Sequence, residues 1–507
     1  MPAWQSSRIF VTAIEDRCGT PAPRKASNIA LGWQPVVRPP GLENILSDKV
    51  LHRQLPDRLP GAVGRVITGV VWSIMGILTV ITAFQMRDRV VRNSHQHPRV
   101  DVNDFDRWMH MFPGFLLHHA NFVNDLWPMP PSTLYLLSPL SLFSPANAQF
   151  IWICCKPFMV AAIFYMVVAM VRRAGVRLSA TAIALLAAIW FWPIIGDMQE
   201  GQMNLFMLTP MVAGLFCAQL EKPGTDWLAG LLIGLAVCIK VTPIIFLIYM
   251  LWRRRWRVAA AIVLGTLFWI FPVGALVFGW HQNLIWWTQW THIMITPYVL
   301  KGAVSVYSGE SIPSFLYRLL THVPAFITSH HGGQKLWYVN VVNLQPATAR
   351  LVVRVVLVAI GLTGLLWMYR RLPTLQCRRY IMEIGAVAAF MLWAEEWCWV
   401  PHYVTLVLTI AAAGMIAVDS QAPRRASRRA WLALWVAAVL MFFTSDAVKI
   451  FGPHASNWGR TLDPSLFAGI GLVLVILFAG YSRSTACGRV ITGEEAGDSG
   501  NDPPSSR

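Results

Sequence analysis

The chain has 507 residues, of which 13% are charged, 55% hydrophobic and 12% aromatic, with 24 tryptophans among them. A soluble domain carries roughly a quarter charged residues, so this composition excludes a soluble enzyme, a disordered protein and a nucleic-acid-binding domain despite a net charge of +17. The basic residues punctuate long apolar runs, which reads as a multi-pass membrane protein with membrane lipids, and no nucleic acid, as its surroundings. Residues 1–62 are polar, Pro-rich and basic with no apolar core of a signal peptide. They read as a flexible cytoplasmic arm, followed by a membrane domain over 63–482 and a disordered cytoplasmic tail over 483–507.

A spanning helix needs about 20 apolar residues. Runs that meet this need lie near 66–85, 148–171, 179–195, 203–219, 257–279, 347–369, 381–396, 402–419, 431–448 and 464–481. The apolar run 227–252 holds Lys240, Thr242 and Pro243 at its middle, which predicts two short helices meeting at a bend. The expected fold is therefore all-α, a polytopic membrane protein of about twelve segments with two long outer loops. The stretch 131–144 is too short and Pro-interrupted to span, and reads as a re-entrant or interfacial piece.

Lys and Arg in short loops set orientation. Arg172/Arg173/Arg177, Arg253/Arg254/Arg255/Arg257, Arg370/Arg371/Arg378/Arg379 and Arg424/Arg425/Arg428/Arg429 fall on one side, which makes that side cytoplasmic together with both termini. Outside lie 86–147 and 280–346, with turns at 196–202, 397–401 and 449–463. Every histidine except His52 maps to these segments or their borders, as do most acids of the membrane domain. Arg87, Arg89, Arg92, Arg99 and Arg107 break the charge rule: either topology ignores a long loop's charges, or they form an anion site. None of the eight cysteines forms a CxxC pair, and most sit in apolar runs, so zinc and disulfide readings are poor.

Several outer motifs carry candidate chemistry. Asn103-Asp104-Phe105-Asp106-Arg107-Trp108 follows the first span, and Asp125-Leu126-Trp127-Pro128 and Pro130-Pro131 come after it. A carboxylate there can act as general base toward a hydroxyl or be a solvated surface charge. Gly201-Gln202-Met203-Asn204 opens the fourth span beside Asp197 and Glu200; its amides either cap the helix or bind sugar hydroxyls. Lys240 within an apolar run is a functional candidate unless it snorkels to an interface, and Lys156 raises the same question. Trp280, Trp286, Trp287 and Trp290 suit an interfacial belt or contact with a sugar ring or lipid chain. Tyr307-Ser308-Gly309-Glu310-Ser311-Ile312-Pro313 with Tyr317-Arg318 follows them. Finally, Glu395-Glu396-Trp397-Cys398-Trp399-Val400-Pro401-His402-Tyr403 gathers acids, an imidazole and aromatics that a lipid-facing turn does not need.

In this order the motifs resemble glycosyltransferase family 87, membrane enzymes of the GT-C class that use polyprenyl-phosphate sugars, notably mannose. Asp104-Phe105, Pro130-Pro131 with Pro139-Leu140, Gly201-Gln202 with Asn204, Asp226-Trp227-Leu228-Ala229-Gly230, Lys240 with Thr242-Pro243, and Arg253-Arg254-Arg255 fit the family's pattern. The resemblance covers roughly 66–420 and is most specific over 200–257. Gly309-Glu310-Ser311 stands where Asn-Gln-Ser is usual, and Pro401 replaces the first residue of a His-His pair.

The resemblance implies that Asp104 is the base, with Asp106 in reserve. It also implies a polyprenyl-phosphate sugar donor and a glycolipid or glycan acceptor, joined with inversion at the outer face of the plasma membrane. A lipid phosphate leaves without the protonation that a glycosidase supplies from its second carboxyl group, so one carboxylate and positive charge suffice. Lys240, Arg318 and Arg107 are the expected phosphate ligands. Gln202, Asn204, Glu310, Glu396 and His402 are the expected sugar or acceptor ligands, and no metal or cofactor is expected. The rival reading, a transporter or flippase of a lipid-linked sugar, predicts internal repeats and midplane polar groups; no repeat is visible, and the polar groups collect outside.

Overall fold

A computed structural model describes residues 61–94, 101–118, 120–122, 127–301, 309–330, 333–444, 451–452, 457–459 and 461–481. Residues 1–60 of the predicted arm, the predicted tail, Arg99, Asp125, Leu126, Tyr307 and Ser308 lie outside the described residues. Within them the protein is helical, and seven helices are long and apolar enough to cross a membrane. It is an all-α polytopic membrane protein.

Helix α1 (Gly61–Ser94) has no proline to stop it, so it continues well past the predicted span end and carries Arg87, Arg89 and Arg92 as helix, not loop. The first predicted loop itself contains α2 (Asp104–His118) and α3 (Thr133–Leu137), the latter running into a 3-10 turn over Ser138–Leu142. Thr133, Leu134 and Leu137 are buried, whereas Ser138–Leu142 has no buried residue, so the first half of the Pro-interrupted stretch tucks into the protein and the second half lies at its surface. There follow α4 (Pro145–Arg173), α5 (Ala180–Gln199), α6 (Asn204–Gln219), α7 (Pro223–Ile239) and α8 (Ile245–Trp252).

The expected bend separates α7 from α8. Lys240 is extended at the end of α7, and Pro243 starts the next short turn without a backbone N–H. The break leaves the Cys238 carbonyl without its helical partner, and the Ser132 hydroxyl donates to it.

Beyond the bend, α9 (Trp256–Phe268) passes through a π-helical turn at Pro272 into α10 (Gly274–Phe278). α7 and α9 touch backbone to backbone: a Cβ on Gly230 would lie 2.2 Å from the Ala261 Cβ, and one on Gly234 2.5 Å from the Thr266 nitrogen. Small residues four apart on both helices allow this close approach, which is how helices gain dispersion contacts where lipid removes the hydrophobic drive.

The second predicted loop holds α11 (Trp280–Trp290), continued by a π-helical run over Thr291–Leu300, then α12 (Ile312–Leu320). A small antiparallel hairpin pairs β1 (Phe326–His330) with β2 (Gly333–Trp337), Phe326 opposite Trp337. The tryptophan cluster divides. Trp286 and Trp290 are buried and donate to the Ala120 and Pro128 carbonyls at 3.0 and 3.1 Å, whereas Trp280 is exposed.

The remaining helices are α13 (Pro346–Trp367), α14 (Arg378–Trp393), α15 (Val407–Val418), α16 (Arg424–Thr444) and α17 (Pro464–Leu477). The segment Val400–Val418 is almost wholly enclosed, while α1 and α13 leave most of their apolar surface bare for lipid. At the Arg-rich ends, Glu383 of α14 is buried and binds Arg253, Arg379 (2.8 Å) and the Tyr249 hydroxyl (3.0 Å). Arg255 meets Glu221 at 2.7 Å, and Arg378 meets Asp419 at 2.5 Å. These arginines therefore clamp helix ends as well as carrying charge.

Candidate active site

Asn103 caps α2 in the way short polar side chains do: its Oδ1 accepts the Asp106 amide at 3.0 Å. Its Nδ2 also donates to the Gln199 carbonyl at 3.0 Å, and the Asp104 amide donates to the Glu200 carbonyl at 3.2 Å. These bonds sew the start of α2 to the turn after α5. Gly201 sits in that turn with φ +66°, and a Cβ there would lie 2.7 Å from the Phe105 Cβ and 2.8 Å from its nitrogen. Only glycine fits both the backbone angle and the space.

Across this joint Gln202 donates its side-chain amide to Asp104 Oδ2, and Arg107 Nη2 lies 2.5 Å from Asp104 Oδ1. The Asp104 side chain keeps 16% exposure, so the carboxylate is enclosed yet reachable. Burial pushes its carboxyl above the usual carboxylate range; the Arg107 charge and the Gln202 hydrogen bond oppose that rise, and Asp101 adds to it. Asp106 is placed differently. Its side chain is fully buried and accepts the Val102 amide at 3.0 Å, while His110 Nδ1 lies 2.5 Å from its carbonyl.

Asn204 and Lys240 belong to a second, linked chain. Lys240 Nζ donates to Asn204 Oδ1 at 3.2 Å and pairs with Glu395 Oε1 at 2.7 Å, and it retains 23% exposure. His402 Nδ1 lies 3.6 Å from the same Glu395 oxygen and accepts the Trp399 amide at 3.1 Å. That bond leaves the imidazole proton on Nε2. Glu396 follows Glu395 in the turn after α14, where burial and the Glu395 charge push it up to about 7.

Glu310 and Arg318 form a third patch. The Glu310 amide donates to the Cys398 carbonyl at 2.7 Å, and its carbonyl accepts the Tyr403 hydroxyl at 2.5 Å. Arg318 is buried; it donates to the Gly309 carbonyl at 2.7 Å and pairs with Asp463 at 2.6 Å. Burial pushes Asp463 up to about 7 against the Arg318 charge. The patch thus anchors the Gly309-Glu310-Ser311 loop on the Cys398–Tyr403 turn.

The structure brings Asp104, Arg107 and Gln202 into direct contact, and likewise Asn204 and Lys240 with Glu395 and His402. Sequence reasoning did not single out Glu395 or Asp463 as partners. Each is an acid at the end of an apolar helix, a visible signal, but their basic partners are 155 and 145 residues away in the chain, Lys240 and Arg318. Among the described residues, two groups have donor atoms close enough together to hold a metal ion, Glu395/Cys398/His402 and Asp101/Asp106/His110. In the first, the Trp399 amide occupies His402 Nδ1 and the Lys240 ammonium occupies Glu395. In the second, the Asp106 carboxylate already takes the Val102 amide.

A membrane-embedded helical protein with a reachable carboxylate held by a glutamine and an arginine, and a partly exposed lysine bound to the same turn, has the parts of a membrane glycosyltransferase. The sequence bears this out: the family model of glycosyltransferase family 87 matches residues 127–393, and the chain belongs to that family. The match spans Gln202, Asn204 and Lys240; Asp104 and His402 flank it.

Among curated proteins, the chain is similar to a polyprenol-phosphate-mannose-dependent alpha-(1-2)-phosphatidylinositol mannoside mannosyltransferase of Mycobacterium tuberculosis. The two are 22% identical over 440 residues, 83% of this chain and 93% of the relative. Its counterpart of the same name in Mycolicibacterium smegmatis is 31% identical over 164 residues, 31% of this chain and 33% of the relative. A pentamannoside mannosyltransferase from that organism is 31% identical over 133 residues, 26% and 30% of the two chains.

Proposed function

We propose that this glycosyltransferase moves a mannosyl unit from a polyprenyl-phosphate donor to a hydroxyl of a glycolipid acceptor at the outer face of the plasma membrane. The observation that carries the reading is the Gln202–Asp104–Arg107 contact, which gives a mostly buried carboxylate two donors that favour its charged form and leaves one edge open. Asp104 takes the proton of the acceptor hydroxyl; the oxygen attacks the anomeric carbon from the face opposite the phosphate, and the configuration inverts. The bond from the anomeric carbon to the phosphate oxygen breaks, and its electron pair leaves with polyprenyl phosphate. Positive charge stabilises that leaving group as charge develops. Lys240, partly exposed beside Asn204, is the first cation for it, and Arg107 the second. Arg318 acts by fixing the Glu310 loop through Asp463, because it is fully buried as well as paired there.

Gln202, Asn204, Glu396 and the Nε2 proton of His402 supply hydrogen bonds for sugar hydroxyls. The scheme uses no metal or other cofactor, since Lys240 and Arg107 supply the positive charge that a phosphate leaving group needs. Mannose as the sugar is supported by the names of all three relatives, and a phosphatidylinositol mannoside is the natural first acceptor to try. Placement at the outer face is supported by the helix ends: α5 starts just past Arg177, α14 starts at Arg378, and both finish at the site.

The test is transfer of radiolabelled mannose from polyprenyl phosphate to phosphatidylinositol mannosides by the purified protein in lipid nanodiscs. Replacing the base, Asp104→Asn, is expected to lower kcat by about 10²–10⁴-fold without loss of folded protein. Undiminished transfer by that variant refutes the assignment of the base, and product with retained configuration refutes the single displacement.

A further inference from the structure

Lys156 and Asp197 lie on separate helices, α4 and α5, and both side chains are completely buried. Their role is absent from the chemistry above. Lys156 Nζ makes three contacts: Asp197 Oδ1 at 2.6 Å, the Asp197 carbonyl at 2.7 Å and the Gln202 carbonyl at 2.9 Å. One ammonium therefore spans the turn from the last helical residues of α5 to the residue that holds Asp104. The Gln202 amide donates back to the Asp197 carbonyl at 3.0 Å, which closes the turn. Trp152, one turn earlier on α4, stacks on Phe105 with ring centroids 4.8 Å apart and on Phe206 at 3.9 Å, so the lysine's own helix is keyed to both sides of the joint.

We propose that Lys156 and Asp197 are positioning residues for catalysis: the buried ion pair fixes the Asp197–Asn204 turn so that Gln202 reaches Asp104 while Asn204 reaches Lys240. The inference rests on Asp104 being the base. A buried ion pair is a poor source of stability, because desolvation offsets its attraction and well-packed apolar residues often replace it without loss. Its value here is geometric. The ammonium supplies three donors aimed at three fixed acceptors, and two of those are backbone carbonyls of the turn. Both halves of the site, base and phosphate cation, hang from that one turn. An error of about 1 Å in such a placement costs on the order of 10²-fold in rate.

The experiment compares pH profiles of kcat/KM for the wild type, Gln202→Leu, the paired replacement Lys156→Met/Asp197→Leu, and all three changes together. The paired replacement leaves no lone buried charge, so it folds where Lys156→Met alone would strand Asp197; thermal unfolding in nanodiscs checks this. Asp104 faces Arg107, Gln202 and Asp101. Loss of the Gln202 donor weakens the ionised base, so the acid limb is expected to move up by about one pH unit in Gln202→Leu. The same shift is expected in the paired replacement, with kcat down about 10–100-fold.

In the triple variant no further shift is expected, because both changes remove the same contact. A merely structural pair would lower the amount of active protein and leave the limb where it is in the wild type. An unshifted limb in the folded paired variant, or additive shifts in the triple variant, overturns the proposal. An unaltered rate in Asp104→Asn overturns instead the reading on which it rests.

Discussion

Gly201→Ala perturbs the joint between α2 and the turn after α5 by a single methyl group. At φ +66° an alanine occupies the left-handed region, which costs roughly 1–2 kcal/mol. The methyl carbon would also stand 2.7 Å from the Phe105 Cβ, 2.8 Å from the Phe105 nitrogen and 2.9 Å from Asn103 Oδ1. The Asn103 oxygen ends a side chain and can give, but the Phe105 nitrogen is backbone and its Cβ is fixed to that backbone, so backbone must move. Restoring ordinary contact of about 3.5–4.0 Å pushes the first turn of α2 away from Gln202 by close to 1 Å. The expected stability loss is about 2–3 kcal/mol, which a membrane protein of this size survives. The expected loss in kcat is on the order of 10²-fold, because Asp104 travels with that turn. Thermal unfolding in nanodiscs reads the first effect, and saturating mannosyl transfer to phosphatidylinositol mannosides reads the second. A kcat within threefold of wild type in folded protein refutes the idea that this contact sets the base.

Other outcomes are fixed by neighbouring contacts. The acid limb of wild-type kcat/KM is expected above the ordinary Asp value of about 3.9, since activity is lost as pH falls through the raised Asp104 value; Arg107→Ala removes a lowering charge and moves the limb higher still. Lys240→Met strands Glu395 and withdraws the exposed cation, so KM for the donor should rise about tenfold or more, measured by varying polyprenyl-phosphate mannose; an unchanged KM assigns the phosphate elsewhere. Asp463 has a folded value of about 7, above its unfolded value, so its contribution to stability is full at low pH and fades as pH rises through 7. Thermal unfolding at pH 6 and 8 should show that dependence shrinking in Asp463→Asn, and an unaltered slope counts against it.

Much of the helical layout was legible in the chain. The break at Lys240-Val241-Thr242-Pro243 reads directly from a proline behind a charged residue in an apolar run, and the structure has α7 end there. The glycines at 230 and 234 were visible as part of a motif, but their reason was not: it lies in Ala261 and Gly265 on another helix. The helices within the two long outer segments were not legible, since polarity marks where a segment sits and not whether it is helical. α1 runs on to Ser94, and α2, α11 and α12 all lie within those segments. The division of the tryptophan cluster was also illegible: Trp280 is exposed, while Trp286 and Trp290 bind carbonyls of the first loop region.

By itself the sequence determined the class of environment, because scarce charge and long apolar runs are properties of local composition that a bilayer selects directly. It also placed the acids and histidines near one set of helix ends. Which of them meet was decided only by the tertiary structure. Gln202 touches Asp104 across 98 residues of chain, and Lys240 finds Asn204 across 36. Arg318 and Lys156, equally basic on paper, spend their charge inside the protein on Asp463 and Asp197. A buried charge must find a partner wherever packing brings one within reach, and packing is a property of the whole fold. The +17 of the composition thus divides into arginines that clamp helix ends, cations locked in the core, and a few left partly exposed, Arg107 against the base and Lys240 beside Asn204 above all.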